Sequence, residues 1–277
     1  MGKIWLVTGA SRGLGAQLAS AILTAGDTVI ATARSKESLN KLQQSERLLR
    51  LSLDVTVEEQ SRTAVDEALR TFGRIDVLVN NAGYGLLGAV EETSGEEAKA
   101  IYDTNVFGLL NVTRAVLPIM RKQRSGHIIN MSSLGGYQAS PGWGVYGSTK
   151  FAVEGISEAL YAELRPLGIY TTVIEPGFFR TDFMDGSSLK HTVARIGDYE
   201  DTAGKTRTFA EEHNHTQPGD PAKFAKALLT LAALPEPPLR LQLGSDAVQR
   251  VERKNAFVQE EANRWLTLSV STDSNHQ

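Results

Sequence analysis

The chain has 277 residues, 41% of them hydrophobic, which is enough to build a full core in one large domain or two small ones. Lys and Arg total 29 against 32 for Asp and Glu, and the net charge of -3 gives no support for a protein that binds nucleic acid or an anionic membrane. The chain has no cysteine, which excludes disulfides and thiolate metal sites, and it lacks a signal-peptide layout or any apolar run near ~18 residues, so we expect a soluble, cytoplasmic protein.

The first predicted elements are a strand, a glycine-rich turn and a helix. The apolar run Ile4–Val7 predicts the strand, and residues 16–23 carry helix formers with apolar side chains at helical spacing. Between them, residues 8–15 read Thr-Gly-Ala-Ser-Arg-Gly-Leu-Gly. Glycine permits a tight turn and lets backbone N–H groups approach a pyrophosphate at the positive end of a helix. The glycine spacing is not G-x-G-x-x-G, so the turn alone leaves a purely structural role open.

Strands and helices then alternate along the chain. Nearly continuous apolar runs predict further strands at residues 28–33, 48–53, 75–79, 127–131 and 170–174. Helices are predicted between them at residues 36–44, 57–72, 96–124 and 145–167. Gly73 and Gly126 should stop the second and third of these helices, and Pro118 should bend the third. This alternation predicts an α/β Rossmann domain, doubly wound, with a mostly parallel seven-stranded sheet and helices on both faces.

The regular alternation stops after Pro176 and Gly177. Residues 178–217 lack clear periodicity and predict a substrate lid, which should be the most mobile region and should order only when both ligands are bound. Asp220 and Pro221 then predict the N-cap and first position of a helix. That helix is predicted to end at 234 and to be followed by a strand at 239–243 and a helix at 246–261. A single domain is predicted over 1–268, with a disordered tail over 269–277.

The end of the second strand bears on the choice of cofactor. In the dinucleotide fold an acid about 20 residues past the glycines binds the adenosine ribose, whereas a 2′-phosphate requires arginine. Here that strand ends at Arg34, and the nearest acids, Asp27 and Glu37, lie before the strand and in the next helix. Arg12 in the glycine turn offers a second guanidinium to the same phosphate. The alternative is two solvated surface arginines, but the missing acid favours NADP over NAD.

Tyr146 and Lys150 lie in the sequence Tyr-Gly-Ser-Thr-Lys after the fifth strand. Residues at i and i+4 share one helix face, so the phenol and the ammonium can share a pocket. A phenol with a pKa near ~10 is a poor acid–base catalyst at neutral pH, and lowering its pKa to ~7 requires ~4 kcal/mol in favour of phenolate. A nearby lysine and the positive nicotinamide of an oxidised cofactor would lower the pKa of Tyr146. A lone pair of this kind is also common on protein surfaces.

Several motifs occur in a recognisable order between residues 3 and 181. They are Thr8-Gly9-x-x-x-Gly13-x-Gly15, Asn80-Asn81-Ala82-Gly83, Ser133, Tyr146-x-x-x-Lys150 and Pro176-Gly177-x-x-x-Thr181. In this combination the chain resembles the short-chain dehydrogenase/reductase superfamily, in its compact branch rather than the extended sugar-nucleotide branch. Within the family, residues 175–181 and the long lid resemble members that act on hydroxysteroids, retinoids or similar lipophilic carbonyls.

The resemblance implies catalytic roles for four residues. Tyr146 would pass its proton to or from the substrate oxygen while hydride moves at the nicotinamide. Lys150 would lower the pKa of Tyr146 and bind the nicotinamide ribose, and Ser133 would hydrogen-bond the substrate carbonyl. Asn105 on the preceding helix would organise a water-linked proton relay. Ser133 is preferred to Ser132 because its spacing to the tyrosine matches that of the family.

The resemblance also implies a set of cofactor contacts. Asp54 and Val55 resemble a pair that contacts adenine, and Asn81 resembles a residue that steadies the sheet beside the cofactor. Thr181 would lie near the nicotinamide carboxamide. The full implied set is Gly9, Ser11, Arg12, Gly13, Leu14, Gly15, Arg34, Asp54, Val55, Asn81, Ala82, Gly83, Tyr146, Lys150, Pro176, Gly177 and Thr181. On spacing alone, Asn81, Asn105 and Thr181 would be interpreted as turn or cap residues.

The residues around the expected nicotinamide predict an apolar substrate. Three loops should supply the wall, with Leu134, Tyr137 and Trp143 from the first, Tyr84, Leu86 and Leu87 from the second, and Phe178, Phe179, Phe183 and Met184 from the lid. Such a wall favours an apolar, cyclic or aromatic ketone or alcohol over a small polar one. Ser133, Tyr146, Phe178 and Phe179 are the predicted substrate-binding residues. No metal site is predicted, since the histidines are isolated or lie in a polar loop without carboxylates at ligand spacing.

These observations favour an NADP(H)-dependent oxidoreductase that interconverts a carbonyl and a secondary alcohol. One alternative is a ketoacyl reductase acting on acyl chains carried by a protein, for which the lid and C-terminal extension are too large. Another is a non-catalytic regulator that senses NADP, which would not need Ser133, Tyr146 and Lys150. A homo-oligomer, dimer or tetramer, is expected because helices at 96–124 and 145–167 form such contacts in many relatives.

Overall fold

Seven parallel strands form the central sheet of the computed structural model, which describes residues 2–274 and confirms the predicted doubly wound α/β fold. In chain order the strands are β1 (Ile4–Val7), β2 (Thr28–Ala33), β3 (Leu48–Ser52), β4 (Val77–Asn80), β5 (Gly85–Leu87), β6 (Gly126–Met131), β7 (Ile169–Pro176), β8 (Leu189–His191) and β9 (Arg240–Leu243). The sheet order is β3-β2-β1-β4-β6-β7-β9, while β5 pairs with β8. The order reverses between β1 and β4, and this switch point opens a crevice at the carboxyl ends of the strands.

Helices cover both faces of the sheet. They are α1 (Gly13–Thr24), α2 (Glu58–Phe72), α3 (Gly95–Tyr102), α4 (Gly108–Gln123), α5 (Gly144–Leu164), α6 (Lys205–Glu212), α7 (Pro221–Ala233) and α8 (Ser245–Val270). Alternate residues of β1 face opposite layers, since Trp5 and Val7 pack with α1 and α7, whereas Leu6 packs with α2, α4 and α5. The side chains of Trp5, Leu6 and Val7 are fully buried, so the sheet has a core on each side.

Two local signals read from the sequence are confirmed by backbone geometry. Gly73 closes α2 with a φ of 77°, in the left-handed region that glycine adopts without strain. Asp220 caps α7, because its side chain accepts hydrogen bonds from the backbone N–H groups of Ala222 and Lys223 at 2.8 and 3.3 Å. Pro221 occupies the first turn of that helix, as predicted.

The long helix predicted over residues 96–124 is divided at a different place from the one expected. A π-helical segment, Asp103–Phe107, separates α3 from α4, whereas Pro118 lies on the exposed face of α4 without ending it. Water can solvate the carbonyl that an exposed proline leaves unpaired, so the helix continues. The helix ends at Arg124, which adopts the left-handed conformation with a φ of 55°, and Gly126 already begins β6.

Two other predicted helices differ in length from the observed ones. Residues 36–44 form only a short 3-10 segment, Glu37–Lys41, in which Leu39 is the one buried side chain and anchors little apolar surface. The C-terminal helix α8 is longer than the predicted 246–261, and from Asn255 onward its residues are exposed. The predicted tail begins inside this helix at 269, and residues 275–277 lie outside the described part of the chain.

The segment predicted as an irregular lid, residues 178–217, contains regular structure. It holds β8, α6, the 3-10 segments Asp182–Met184 and Gly197–Tyr199, and the π segment Glu200–Gly204. β8 pairs in parallel with β5, which the sequence pattern also missed because each strand has only three residues. At its base, the backbone N–H of Gly219 donates to the carbonyl of Phe178 at 2.9 Å, so the two ends of the lid are joined.

Across residues 2–274, no helix combines the length and apolarity that crossing a membrane would need.

Candidate active site

One cleft of 810 Å³ opens at the carboxyl ends of the parallel strands. It is lined by every residue of the predicted cofactor set and by Ser133, Phe178 and Phe179. The buried side chain of Asn105 is not part of this lining. The glycine turn, the ends of β2, β4, β6 and β7, and the lid therefore converge on one site, although they are far apart in sequence.

The glycine turn has the geometry of a phosphate cradle. Gly9 and Gly13 have φ values of 65° and 54°, which only glycine adopts readily. At Gly15 a side chain is excluded, because a Cβ there would lie 2.5 Å from the Asn81 amide nitrogen and from the Gly9 carbonyl oxygen. A Cβ at Gly13 would meet nothing closer than Thr181 at 3.8 Å, so the space above the turn is open.

Hydrogen bonds from the β4 end hold this turn in place. The Asn81 side-chain amide donates to the carbonyls of Thr8 and Gly9 at 2.9 and 3.1 Å. The Thr8 hydroxyl in turn accepts from the backbone N–H groups of Asn81 and Ala82, both at 2.9 Å. Asn81 thus joins the two strands on either side of the switch point, which fixes the shape of the cleft floor.

The start of α1 fits a dinucleotide pyrophosphate. The N-cap Arg12 makes no side-chain cap hydrogen bond, and the first turn holds no acidic residue, so neither competes for the backbone N–H groups there. A helix N-terminus with such N–H groups and open space beyond it binds anions. At the other end of the predicted cofactor track, a Cβ on Gly83 would lie 3.0 Å from the Asn105 amide oxygen, so a side chain at this position would press on Asn105.

The two arginines of the cofactor prediction have different surroundings. Arg34 is exposed at the cleft edge, and its carbonyl accepts a hydrogen bond from the Ser52 hydroxyl at 2.8 Å. Within residues 2–274 its guanidinium forms no ion pair. Arg12 instead donates from Nη2 to the carbonyl of Ser187 at 2.5 Å, which connects the glycine turn to the lid. Arg34 is therefore the arginine of the two whose guanidinium is available at the cleft edge.

Tyr146 and Lys150 are buried side by side on α5. The phenol ring of Tyr146 packs edge-on to Trp143, with centroids 5.4 Å apart, and lies 6.0 Å from the ring of Phe183. Lys150 Nζ lies 5.9 Å from the centroid of the Tyr146 ring and donates to the Met131 carbonyl at 2.8 Å. These contacts leave each side chain little freedom, so the pair is positioned by packing as well as by polar contacts.

Burial changes the ionisation of both groups. It raises the pKa of Tyr146 to about 12, against a smaller lowering by hydrogen bonding with Ser133. It lowers the pKa of Lys150 to about 8, against a smaller raising by the charge of Glu154. In the chain without ligands, removal from water raises the pKa of Tyr146 more than the surroundings lower it, and the expected lowering by Lys150 and an oxidised nicotinamide stays a prediction for the complex. The phenol is protonated at neutral pH.

Ser133 lies at the C-terminal end of β6, where its hydroxyl accepts from the backbone N–H of Gly135 at 3.1 Å. It contacts Tyr146 and lines the cleft. The neighbouring Ser132 lines the same cleft but is buried.

Asn105 lies in the π segment, and its side chain is fully engaged. The amide oxygen accepts from the backbone N–H of Tyr84 at 3.1 Å, and the amide nitrogen donates to the Tyr84 carbonyl at 3.0 Å and to the Thr149 hydroxyl at 3.1 Å. That hydroxyl donates to the Tyr146 carbonyl at 2.7 Å. The side chain of Asn105 thus fastens the loop after Gly83 to α5, next to Tyr146.

The predicted apolar wall is only partly assembled in the cleft. Seven of its ten residues line it, namely Tyr84, Leu134, Trp143, Phe178, Phe179, Phe183 and Met184. Leu86 and Leu87 are buried in β5 instead, and Tyr137 donates from its hydroxyl to Asn255 at 2.5 Å. Phe179 also packs edge-on against Phe224 of α7, with centroids 5.3 Å apart, so it anchors the lid base as well as facing the cleft.

Sequence reasoning missed residues that the fold brings to the site over long distances. Phe209 of α6 lies 5.9 Å from Phe178, ring centroid to centroid, and Arg250 of α8 reaches the same end of the cleft. Behind Lys150, the half-buried Arg240 forms ion pairs with Glu154 at 3.0 Å and Glu175 at 3.5 Å. Burial raises the pKa of Glu154 to about 7. No local sequence pattern identifies these residues as part of the site, because the residues that each one contacts lie on other elements.

Within residues 2–274, no group of three or more His, Asp or Glu residues is arranged to hold a metal ion.

Comparison with known proteins identifies relatives over nearly the whole chain. The family model for short chain dehydrogenases matches residues 3–191. The oxidoreductase BOA17 of Botryotinia fuckeliana is 41% identical over 275 residues, covering 98% of this chain and 100% of that protein. The 3-ketodihydrosphingosine reductase of Bacteroides thetaiotaomicron is 38% identical over 243 residues, covering 87% of this chain and 88% of that protein.

Solved structures agree with this comparison. A short-chain dehydrogenase from Streptomyces avermitilis is 41% identical, with a TM-score of 0.92 over 98% of each chain. An alcohol dehydrogenase from Thermococcus sibiricus, complexed with 5-hydroxy-NADP, is 26% identical, with a TM-score of 0.72 over 88% of this chain and 96% of that one. A Burkholderia phymatum relative in complex with NAD shares the fold at 22% identity, with a TM-score of 0.84 over 94% and 95% of the two chains.

Proposed function

The chain belongs to the short-chain dehydrogenase family, and from that premise we propose that it is an NADP(H)-dependent oxidoreductase that interconverts a carbonyl and a secondary alcohol on an apolar small molecule. The observation that carries this proposal is the buried Tyr146 phenol, which meets Ser133 and Lys150 in the cleft that the glycine turn opens. A nicotinamide cofactor would supply or accept the hydride. The rest of the chemistry, orientation and proton transfer, falls to side chains of this chain.

In the reduction direction Tyr146 is the proton donor. Its phenol is protonated at neutral pH, so it can hydrogen-bond a ketone oxygen and protonate that oxygen as negative charge develops. Ser133 donates to the same oxygen and holds the carbonyl in line. Lys150, which keeps its own position through the Met131 carbonyl, presents a positive charge that stabilises the phenolate left behind. The aromatic surroundings exclude water and strengthen these electrostatic interactions.

Five parts of the chain would hold the cofactor. The N-terminus of α1 and the glycine turn would bind the pyrophosphate, and Asp54 and Val55 would contact the adenine. Lys150 would bind the nicotinamide ribose beside Gly83, and Thr181 would contact the carboxamide. We assign the 2′-phosphate to Arg34, since its guanidinium lies exposed at the cleft edge and no acid follows β2 at the ribose position.

A preference for NADP over NAD predicts that replacing Arg34 weakens the binding of NADPH selectively. Arg34→Ala should weaken NADPH binding by roughly 1.5–3 kcal/mol, the contribution of charge-assisted hydrogen bonds, and should barely change NADH binding. Dissociation constants from fluorescence titration measure both effects. The matched control is Lys36→Ala, which removes a neighbouring exposed cation that does not line the cleft. An equal loss for both cofactors would show that Arg34 does not contact the 2′-phosphate.

The substrate proposal rests on the ring side chains beside Tyr146. Trp143 and Phe183 pack against Tyr146, Phe178 also lines the cleft, and apolar contact contributes about 25 cal/mol per Å² of buried area. A panel of carbonyl compounds with NADPH tests both activity and substrate class, with tetralone as the bulky apolar ketone and pyruvate as the short keto acid. We expect a higher kcat/KM for tetralone. Preference for pyruvate would reject the apolar pocket, and turnover of neither tetralone nor any other ketone in the panel would reject the oxidoreductase proposal.

We further propose that the protein is a homo-oligomer. Large apolar side chains are exposed on the helices expected at the interface, with Phe107 in the π segment at 51% and Phe151 on α5 at 44%. Light scattering coupled to size-exclusion chromatography should give at least twice the chain mass of 30.1 kDa. A mass equal to that of one chain would contradict the proposal.

A further inference from the structure

Arg250 is a cation at the substrate end of the cleft. It lies on α8 and is half-buried, and its Nη1 donates to the Ser140 hydroxyl at 2.7 Å. Ser140 belongs to the loop that also carries Trp143, which packs on Tyr146. Both Arg250 and Ser140 line the cleft. The Ser140 contact therefore places the guanidinium beside the loop that packs on Tyr146.

The charge of Arg250 has no acidic partner in the part of the chain that the structure describes. No carboxylate of residues 2–274 lies within 4.0 Å of its guanidinium. Asp246, one turn before Arg250 on the same helix, is engaged with the lid base, where it accepts from the backbone N–H of Phe178 at 2.7 Å. Burial and the nearby Arg253 lower the pKa of Arg250, and Asp246 offsets this only in part. Binding of an anion stabilises a partly buried cation that has no partner.

The other cations of this region already have partners. Lys205 Nζ forms an ion pair with Asp201 at 3.0 Å, and Lys190 Nζ lies 4.7 Å from the centroid of the Tyr84 ring. The acidic residue of the lid that lines the cleft, Asp182, is exposed to solvent. Arg250 is thus distinguished from its neighbours by being half-buried and unneutralised at the same time.

The guanidinium also has donors to spare. Arginine carries five N–H groups in a planar fork, and within residues 2–274 the guanidinium of Arg250 uses one nitrogen, Nη1, for its hydrogen bond to Ser140. The Nε and Nη2 edge matches the two oxygens of a carboxylate. The hydrogen bond to Ser140 restrains the guanidinium of Arg250, which reduces the conformational entropy that this side chain loses when a ligand binds.

We propose that Arg250 binds a carboxylate at the end of the substrate remote from the reacting carbonyl, so that the substrate is an oxo acid or hydroxy acid with an apolar middle. This inference rests on the proposed function and narrows its substrate class. The rings of Trp143, Phe178 and Phe183 contact the apolar middle, Tyr146 and Ser133 hold the carbonyl, and Arg250 sets the orientation. Pyruvate is too short to satisfy both ends, because its carboxylate adjoins the carbonyl carbon.

The test compares an acid with its neutral ester. Benzoylpropionate and its methyl ester present the same aryl ketone and differ in the charge at the far end, and the longer benzoylbutyrate varies the spacing. We expect wild type to show at least tenfold higher kcat/KM, with NADPH, for the better of the two acids than for its methyl ester, the effect of a charge-assisted pair. Arg250→Gln should reduce this acid-to-ester ratio to near one. Arg253→Gln, on the same helix but exposed, should leave the ratio at its wild-type value.

A second readout separates this inference from the proposed function. Calorimetric titration of both acids should give dissociation constants at least tenfold weaker for Arg250→Gln than for wild type. If tetralone is reduced but the ratio and the acid affinities are the same in wild type and Arg250→Gln, the Arg250 assignment is overturned and the oxidoreductase proposal stands. If no ketone is reduced but acid binding still depends on Arg250, the anion site stands and the proposed reaction falls. An equal loss for acid and ester in Arg250→Gln would indicate that Arg250 only braces the Ser140 loop, which also overturns the assignment.

Discussion

Burial keeps the Tyr146 phenol protonated at neutral pH. Its pKa of about 12 means that, before any ligand binds, the enzyme holds a proton to give to a ketone oxygen. Oxidation would require phenolate, which a buried phenol resists unless positive charge is close. Lys150 would provide such charge below its own pKa, and a positively charged nicotinamide would add to it in the complex with the oxidised cofactor. Proton transfer in either direction therefore depends on the positive charge placed beside the phenol.

Replacing the phenol tests this role. Tyr146→Phe removes the hydroxyl and keeps the ring that packs on Trp143, so NADPH binding should stay nearly unchanged while kcat falls far below a tenth of wild type. Lys150→Ala should reduce both kcat and NADPH affinity, because Lys150 is assigned to the ribose as well. Steady-state kinetics and NADPH titration measure these effects. If Tyr146→Phe retains more than about a tenth of wild-type kcat, a loss of only ~1.4 kcal/mol in the barrier, Tyr146 is not the acid.

The ionisation of Lys150 predicts the pH dependence of reduction. Burial lowers its pKa to about 8, so the ammonium is charged below that pH and neutral above it. Since the charge stabilises the phenolate formed on proton donation, kcat/KM for reduction should be level at neutral pH and should fall about tenfold per unit above the pKa of Lys150. A pH–rate profile in the reduction direction measures this. A kcat/KM that rises with pH across the same range would contradict the assignment.

At the scale of elements, the lid is anchored through buried charge. Glu92, after β5, pairs with Arg207 of α6 at 2.8 Å, and the two side chains are 0% and 4% exposed. Glu92 also accepts from the backbone N–H groups of Ala89 and Ile196, at 2.8 and 2.9 Å. These bonds, with the β5–β8 pairing, fasten residues 189–212 to the body.

Breaking that anchor should loosen the lid and destabilise the fold. Glu92→Gln leaves Arg207 buried with only the exposed Glu200 at 3.7 Å, so the free energy of unfolding should fall by about 3–5 kcal/mol. Hydrogen exchange should accelerate across residues 196–212. The matched control is Glu91→Gln, whose exposed side chain contacts the Tyr199 hydroxyl and should contribute at most ~1 kcal/mol. Equal stability and equal lid exchange in the two variants would contradict the anchoring role.

The same pair predicts an acid limit. Hydrogen bonding with Arg207 lowers the pKa of Glu92 from 4.5 to about 2, with burial opposing the shift. A carboxylate whose folded-state pKa is lowered stabilises the fold fully above its unfolded-state value and loses that contribution as the pH falls towards the folded-state value. Wild type should therefore lose stability between pH 4.5 and about 2 more steeply than Glu92→Gln.

At the scale of the whole molecule, the features that could be predicted from sequence are those determined by residues close together in the chain. The bounds of β1 and β2, the Gly73 stop and the Asp220 cap follow from apolar runs and backbone preferences within a few residues. The predicted cofactor residues converge on one cleft because parallel strands carry their C-terminal loops to the same edge of the sheet. Local signals were therefore enough to predict the fold and the cofactor residues that line the cleft.

The remainder depends on contacts between distant segments. The Glu92–Arg207 pair joins residues 115 positions apart, and the Arg250–Ser140 contact joins residues 110 apart. No run or spacing near either residue indicates its partner. The direction of the Tyr146 pKa shift was likewise hidden, because it depends on how completely the folded protein removes the ring from water. The substrate end of the cleft is therefore the part that sequence alone described least well.

The most direct test of the central claim follows the hydride itself. NADPH carrying deuterium at the transferred position is incubated with wild-type protein and the ketone that the carbonyl panel identifies, and the product is analysed by mass spectrometry. We predict a secondary alcohol with one deuterium on the former carbonyl carbon. An alcohol without deuterium, or consumption of NADPH without alcohol, would contradict the assignment of this chain as a carbonyl reductase.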